Sequence, residues 1–270
     1  MSDNTNTNDL VLDEFKAQLK EHGITIDSID DDGLIHIQRG GSNVTVSLDN
    51  VRRNYARDSD MRHIQELVET IVEYNGVGEA MPSDWETVRL DIFASLHPRD
   101  DFDFDDVLHD RVTEEVEKIF LYTGADRHTW IAARNLEDWN VTEGELIEQA
   151  NANADRLLAE TEIEIQEIDG HKLGCFNTSR TDLKASLLLA PSLRDRVLSD
   201  FGFPFFAVVP VRDFCYIFSE ADAEYLLARL GPTVVDEYQE SGYPVTTEVW
   251  RFSNEGIQAI GRYPVEGETD

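Results

Sequence analysis

The sequence predicts an α+β protein: sequential antiparallel hairpins with helices packed on one side. Three observations lead there. Short apolar runs occur in neighbouring pairs joined by tight turn signals such as Asp169-Gly170, the pattern of antiparallel hairpins rather than of strands joined by long crossovers. Stretches with apolar residues at helical spacing are interposed between those pairs. The densest apolar stretch, residues 182–218, joins a short amphipathic helix to a Phe/Val strand, a tight turn and a second aromatic strand, and marks the centre of a core.

In chain order, residues 1–9 are polar and terminal and are expected as a disordered tail. Residues 10–22 place Leu10, Val11, Phe15 and Leu19 on one helical stripe, with Gly23 as the stop. Residues 24–48 form a β-meander whose apolar runs are separated by Asp-Gly and Gly-Gly turns. Two helices follow, over 49–57 and 60–74, the second with Met61, Ile64, Leu67, Val68, Ile71 and Val72 at helical spacing. Together these make an N-terminal α-β-β-β-α-α unit over residues 10–78, with residues 77–84 as the candidate boundary. Residues 85–97 are expected as a strand stopped by Pro98, and 112–122 and 129–134 as paired strands. Thr142 with Glu145 forms a capping box that opens a helix running to about residue 159. A hairpin over 162–168 and 171–176 comes next, then helical segments over 182–189 and 192–201. The chain closes with a hairpin over 205–211 and 214–218, a helix over 221–238 with a break expected at Gly231-Pro232, and a last hairpin over 245–252 and 257–260. Residues 263–270 are expected as an acidic tail.

With 270 residues and 41% hydrophobic content the chain can bury a substantial core. Its longest apolar run, near 201–211, is about half of what a membrane-spanning helix needs, and Gly202, Pro204 and Pro210 interrupt it. The first residues lack the basic and apolar regions of a secretory signal. A soluble cytoplasmic protein is the expectation. Cys175 and Cys215 sit in strand-like apolar runs and are expected as buried reduced thiols, with a bridge between neighbouring strands left open.

Charge is the loudest compositional fact: 55 acidic residues against 23 basic ones, a formal net charge of -32. Such a field repels nucleic acid and anionic membranes and attracts basic proteins. Two causes compete, a focused acidic face that docks on a basic partner, and acidification of the whole surface as in proteins adapted to high salt. Lysine is scarce, with five against 18 arginines, and the acids are spread along the whole length, which favours adaptation.

No P-loop, Gly-rich dinucleotide turn, G-x-S-x-G or H-E-x-x-H is present, and the seven histidines make no i, i+4 pair. A triad of Ser179 or Ser186 with His171 as base would rest on residue types alone. In the segment 100–106, DDFDFDD, Asp101, Asp103 and Asp105 alternate and would point three carboxylates to one side of an extended chain, with His97 or His109 nearby, a donor set suited to a hard cation. Counting from Asp101, however, the sixth and twelfth positions of a calcium loop hold Asp106 and Val112. A solvated acidic loop with Phe102 and Phe104 turned inward is therefore expected. Asp30-Asp31-Asp32-Gly33 is ordinary turn chemistry. Arg180, Asp182, Arg194, Asp195, Arg196, Arg212 and Asp213 flank the apolar centre, either as rim ion pairs of little energetic weight or as the lining of a polar pocket. The candidate ligand-binding residues are Asp182, Ser186, Arg212 and Asp213. No cofactor is implied.

The run from Asn135 through Trp139-Asn140-Val141-Thr142 to Leu146, continuing to Ala150 and Asn151, resembles the WN-I/V-T/S-x-x-E-L helix opening of the bacterial YtpQ-like proteins. Asp182, Ala185, Ser186 and Leu188 resemble their D-x-x-A-S-x-L motif, followed by a short helix, a strand with Val209-Pro210, and Asp213 leading into the next strand. The resemblance covers residues 85–262 well and the N-terminal unit loosely. It implies membership of a family of unknown function, with no catalytic or binding residues to carry over. The chain departs from that pattern in its acidity and its Asp-rich segment at 100–106. The resulting expectation is a non-catalytic acidic interaction module, of which neutralising a basic partner, as immunity proteins do, is one concrete version. The alternative is an enzyme or small-ligand binder with a polar pocket near Asp182, Ser186, Arg212 and Asp213.

Overall fold

In the computed structural model, which describes residues 9–30, 33–39, 42–73, 81–99, 107–124 and 128–265, Asp9 opens the first helix, α1 (Leu10–Glu21), by accepting from the backbone N–H of Leu12. The chain divides into two units, Met1–Ala80 with Glu240–Gly242, and Met81–Gln239 with Tyr243–Asp270. In the first, the meander forms as predicted: β1 (Ile26–Ile29), β2 (Ile35–Arg39) and β3 (Ser42–Val46), antiparallel and in that order. Gly33 turns the chain at a φ of 81°, and Asp30 accepts from Leu34 N at 2.8 Å; Asp31 and Asp32 lie outside the described residues. Helices α2 (Asp49–Asp58) and α3 (Arg62–Glu73) join α1 over a core of Phe15, Leu19, Ile35, Ile37, Leu48, Ile64 and Val68. Leu10 and Met61, expected on the buried stripes, are exposed, Leu10 as the first residue of α1 and Met61 just before α3.

The second unit opens differently from expectation. Asp84 accepts from Thr87 N and so starts a short helix, α4 (Trp85–Val88), followed by a 3-10 turn; the strand β4 (Ile92–Pro98) begins only after them and includes the proline. The strand predicted over 112–122 starts at residue 116, since Thr113 Oγ1 accepts from Glu115 N and Val116 N and turns the chain there. The elements are β5 (His109–Arg111), β6 (Val116–Thr123) and β7 (His128–Trp130), with Arg134 already inside α5 (Ala133–Trp139). Strand β4 pairs one edge of β6, while β5 and β7 share the other edge end to end. Thr142 and Glu145 form the predicted capping box of α6 (Glu143–Glu160).

The larger sheet runs in the order β13-β12-β10-β11-β9-β8. Its hairpins are those read from the sequence: β8 (Glu162–Ile168) with β9 (His171–Asn177), β10 (Phe205–Val211) with β11 (Phe214–Ser219), and β12 (Glu248–Ser253) with β13 (Gly256–Arg262). The α+β class with antiparallel, hairpin-ordered sheets is thus observed. Between β9 and β10 the predicted helix over 182–189 is a pair of 3-10 segments, Thr181–Leu183 and Ala185–Leu189, followed by α7 (Leu193–Phe201). Helices lie on one side of the three-stranded sheet, but the six-stranded one carries helical segments on both faces. Every residue of β10 is buried, so both faces must be covered. Phe205, Ala207, Ile217 and Trp250 pack with Leu187, Val197 and Phe201, while Phe206, Val208, Phe218 and Val249 pack with Leu226, Leu230 and Val234 of α8 (Ala223–Glu240). Cys175 and Cys215 are free thiols; strand alternation puts Cys215 with the first of these cores and Cys175 on the opposite face.

Helix α8 does not break at Gly231-Pro232. Tyr263 supports that turn: its hydroxyl donates to the Leu227 carbonyl at 2.9 Å, and its ring lies where a Cβ on residue 231 would come within 3.0 Å. Tyr263 therefore belongs to the fold rather than to a tail.

Candidate functional site

Antiparallel pairing places side chains of facing residues on the same side of a sheet, about 5 Å apart at Cβ. In the four-stranded sheet His97 faces Glu117, which faces Arg111; Ser95 faces Ile119, which faces His109. One face of this sheet therefore carries a polar group beside the apolar Phe93, Ile119 and Leu121. Ser95, His97, Glu117 and Thr123 are all buried there. Glu117, only 4% exposed, has two arginines and a histidine around it: Arg99 Nε and Arg111 Nε at 3.8 Å from Oε1, and His109 Nδ1 at 3.3 Å from Oε2.

A second group adjoins the same face. His97 meets Trp130 of β7 edge-on, ring centroids 5.4 Å apart. From the other end of β7, His128 Nε2 lies 3.3 Å from Asp182 Oδ2. Asp182 is also gripped by Arg180, which donates from Nε at 3.1 Å and Nη2 at 2.8 Å, a bidentate pair. The guanidinium of Arg212 stacks 4.1 Å from the ring centroid of Tyr243. The backbone holds these parts together: Ala185 N donates to the Arg212 carbonyl at 2.9 Å, tying the 3-10 segments to the β10–β11 turn, and Arg212 N donates to Tyr243 O.

The electrostatics follow from that packing. Burial, aided by the nearby Arg212 and His128 charges, pushes His97 down to about 3, so its imidazole is neutral at pH 7. Burial works to raise Asp182, but hydrogen bonds from His128 and Arg180 and their charges outweigh it and hold the carboxyl well below the usual range. Burial lowers Arg212 against the opposing influence of Tyr243, Asp213 and Asp182.

Of the four predicted ligand-binding residues, Asp182 and Arg212 sit in this group. Asp213 is exposed on the β10–β11 turn beside Arg212, and Ser186 is buried within the second 3-10 segment. Asp101, Asp103 and Asp105 lie outside the described residues; among the described ones no group of three or more His, Cys, Asp or Glu is arranged to hold a metal ion. His171 is not paired with a serine. Its Nδ1 lies 2.8 Å from Asp222 Oδ1 and its ring stacks on Tyr225. Sequence reasoning weighed His97 only as a possible companion of the Asp101, Asp103 and Asp105 carboxylates, and passed over Glu117 and His128. A usable signal was there: Ser95, His97 and Arg99 occupy every second position of an otherwise apolar strand.

Four arginines (99, 111, 180 and 212) and three of the seven histidines thus gather around the three carboxylates of Glu117, Asp182 and Asp213, in a chain whose acids outnumber its bases by more than two to one. The arginines can present forked donors to an oxyanion, and neutral His97 can donate or accept one hydrogen bond. Compared with family models, curated proteins and solved structures, the chain matches none. No helix among the described residues is long and apolar enough to cross a membrane.

Proposed function

We propose that the chain is a small-ligand binder that captures an oxyanion on the arginine- and histidine-lined face of its four-stranded sheet. The observation that carries this reading is the local reversal of charge: arginines predominate there over a buried floor of His97 and Glu117, within a strongly acidic protein. Exposed acids elsewhere lower the affinity of the general surface for anions, against which this face stands out. Calorimetric titration with inorganic phosphate at low ionic strength tests it. One saturable site is expected, weakened at least about tenfold by Arg212→Gln and by Arg180→Gln, in line with the worth of a charge-assisted hydrogen bond. Arg229→Gln on α8 should leave it unchanged. Equal affinity in all four proteins would sink the reading.

A second reading keeps the acidic surface as the working part, a module that docks on a basic protein. It is favoured by the outer edge of the six-stranded sheet, where Glu160, Glu162, Glu164, Glu167 and Asp169 are all exposed along or beside β8. Such charges also keep an edge strand from pairing with another chain. A single basic protein retained from lysate at low salt, released at high salt and then bound by the purified chain would support docking; no specific partner at either salt would leave only the edge-protecting role. The kinship to the YtpQ-like proteins is likewise our proposal. Its two motifs are the capping box of α6 and the 3-10 segments that carry Asp182.

A further inference from the structure

We infer that the cavity bounded by the second 3-10 segment, the start of α7 and the β12–β13 turn binds an amphipathic monocarboxylate, an apolar chain ending in one carboxylate. The cavity has a volume of about 420 Å³, and its walls include Leu188, Leu193, Phe203, Phe205, Phe252 and Ile257. The aromatic wall is built from packed rings: Phe205 stacks on Phe252 at 4.7 Å, and Phe203 meets Phe205 at 6.2 Å and 60°. A wall of this composition rewards the burial of methylene groups.

The polar end is Arg194. Its guanidinium carbon lies 4.1 Å from the ring centroid of Phe203, and its Nη1 donates to Asn254 Oδ1 at 3.4 Å. Neither partner is a carboxylate, although acids are abundant in this chain. A guanidinium laid flat on a ring keeps its N–H edge available for a forked pair with a carboxylate. The helix end is not the anchor, because Asp155 Oδ1 already accepts from Ser192 N and Oγ at 2.8 and 2.7 Å.

One cation beside an apolar cavity selects one negative charge. A wholly apolar ligand would desolvate Arg194 without replacing its water, and a multiply charged one would meet a single arginine in an acidic surround. None of these residues belongs to the arginine- and histidine-lined face, so the two sites stand or fall separately.

Calorimetry on the full chain with decanoate, decanol and decyltrimethylammonium tests the assignment. Decanoate should saturate one site. Arg194→Gln should weaken decanoate about tenfold while leaving decanol within about twofold, since the exchange removes a charge-assisted pair and no apolar wall. Ile257→Trp, which fills the cavity, should abolish decanoate binding, with the thermal unfolding midpoint checking that the variant is folded. Decanol or the cation binding as tightly as decanoate would overturn the proposal. So would the absence of a saturable site, or affinity for decanoate that survives Arg194→Gln, a surface exchange that leaves the core intact.

Discussion

His97 on β4 and Glu117 on β6 face each other directly across the strand pair, each only 4% exposed. A neutral imidazole and a carboxylate ringed by Arg99, His109 and Arg111 thus share the floor of one sheet face. The pairing is a consequence of the β4–β6 register.

The His97 imidazole binds its proton near pH 3 when folded and near 6.5 when unfolded. Between those values the unfolded chain holds more protons, so stability rises with pH across the window and is lost as pH falls through it. Asp182 adds to the loss at the lower end, since its depressed carboxyl favours the folded state only above the ordinary Asp range. Denaturant unfolding from pH 7 to pH 4 should show a steep fall, with His97 contributing at most on the order of 4 kcal/mol. His97→Phe should flatten that slope. An unchanged slope would show that another group carries the acid response.

Glu117→Gln removes one negative charge from the floor of the same face while keeping its shape. Phosphate affinity should rise about threefold to tenfold, because the arginines then act unopposed on the incoming anion. Stability should change little or fall by about 1 kcal/mol, since Arg99, His109 and Arg111 are all substantially exposed and solvent screens their attraction for the carboxylate. Weaker phosphate binding in this variant would place the anion elsewhere.

Local chemistry was legible in the sequence where it is written within a few residues. Asp169-Gly170 turns the β8–β9 hairpin with both residues at positive φ, and Thr142 with Glu145 caps α6 as read. Asp182 and Arg212 stand out in the sequence because they flank the apolar centre of residues 182–218. The Asp84 cap was equally local but hidden, as the residues after it alternate like a strand. His97 and Glu117 are 20 positions apart and meet only through the β4–β6 register, which no local signal specifies. Isolated polar residues in apolar strands carry little weight until pairing shows that they share a face.

Glu248 offers an opposite pH response. Its Oε2 accepts from Thr113 Oγ1 at 2.7 Å and Trp250 Nε1 at 2.9 Å, yet burial raises its carboxyl despite those bonds, with Glu115 and Glu114 adding to the rise. A raised carboxyl means that the folded chain holds more protons just above the ordinary Glu range, so this group's contribution is full below that range and declines as pH rises. Glu248→Gln keeps an acceptor for both donors and removes the charge. The variant should gain about 1 kcal/mol over the parent at pH 8 and nothing at pH 4. A loss at pH 8 would mean that the charge itself holds Thr113 and Trp250.

The net charge of -32 makes a prediction about salt. Raising sodium chloride from about 0.1 M to about 1 M shortens the screening length from about 10 to about 3 Å, which relieves repulsion between carboxylates without local partners. The thermal midpoint should climb steadily over that range, as expected for acidification of the whole surface. A midpoint that falls would show that the ion pairs already present outweigh the general repulsion.

Gly174 on β9 is required by packing. A Cβ there would lie 2.5 Å from Cζ and 2.9 Å from Cε2 of Phe201, whose ring at the end of α7 is buried in the main core. The ring is large, buried and close to backbone, so neither side can move freely. Gly174→Ala should therefore destabilise by about 1 to 3 kcal/mol, the usual cost of overpacking. Phe201→Leu alone should cost about 1 to 3 kcal/mol through lost burial and a residual void. In the double variant the new methyl occupies space that the ring has left, and its stability should exceed the sum of the single effects by at least about 1 kcal/mol. A denaturant-unfolding cycle on the four proteins measures that coupling. Strict additivity would show that the glycine is needed for the strand's backbone and not for the ring.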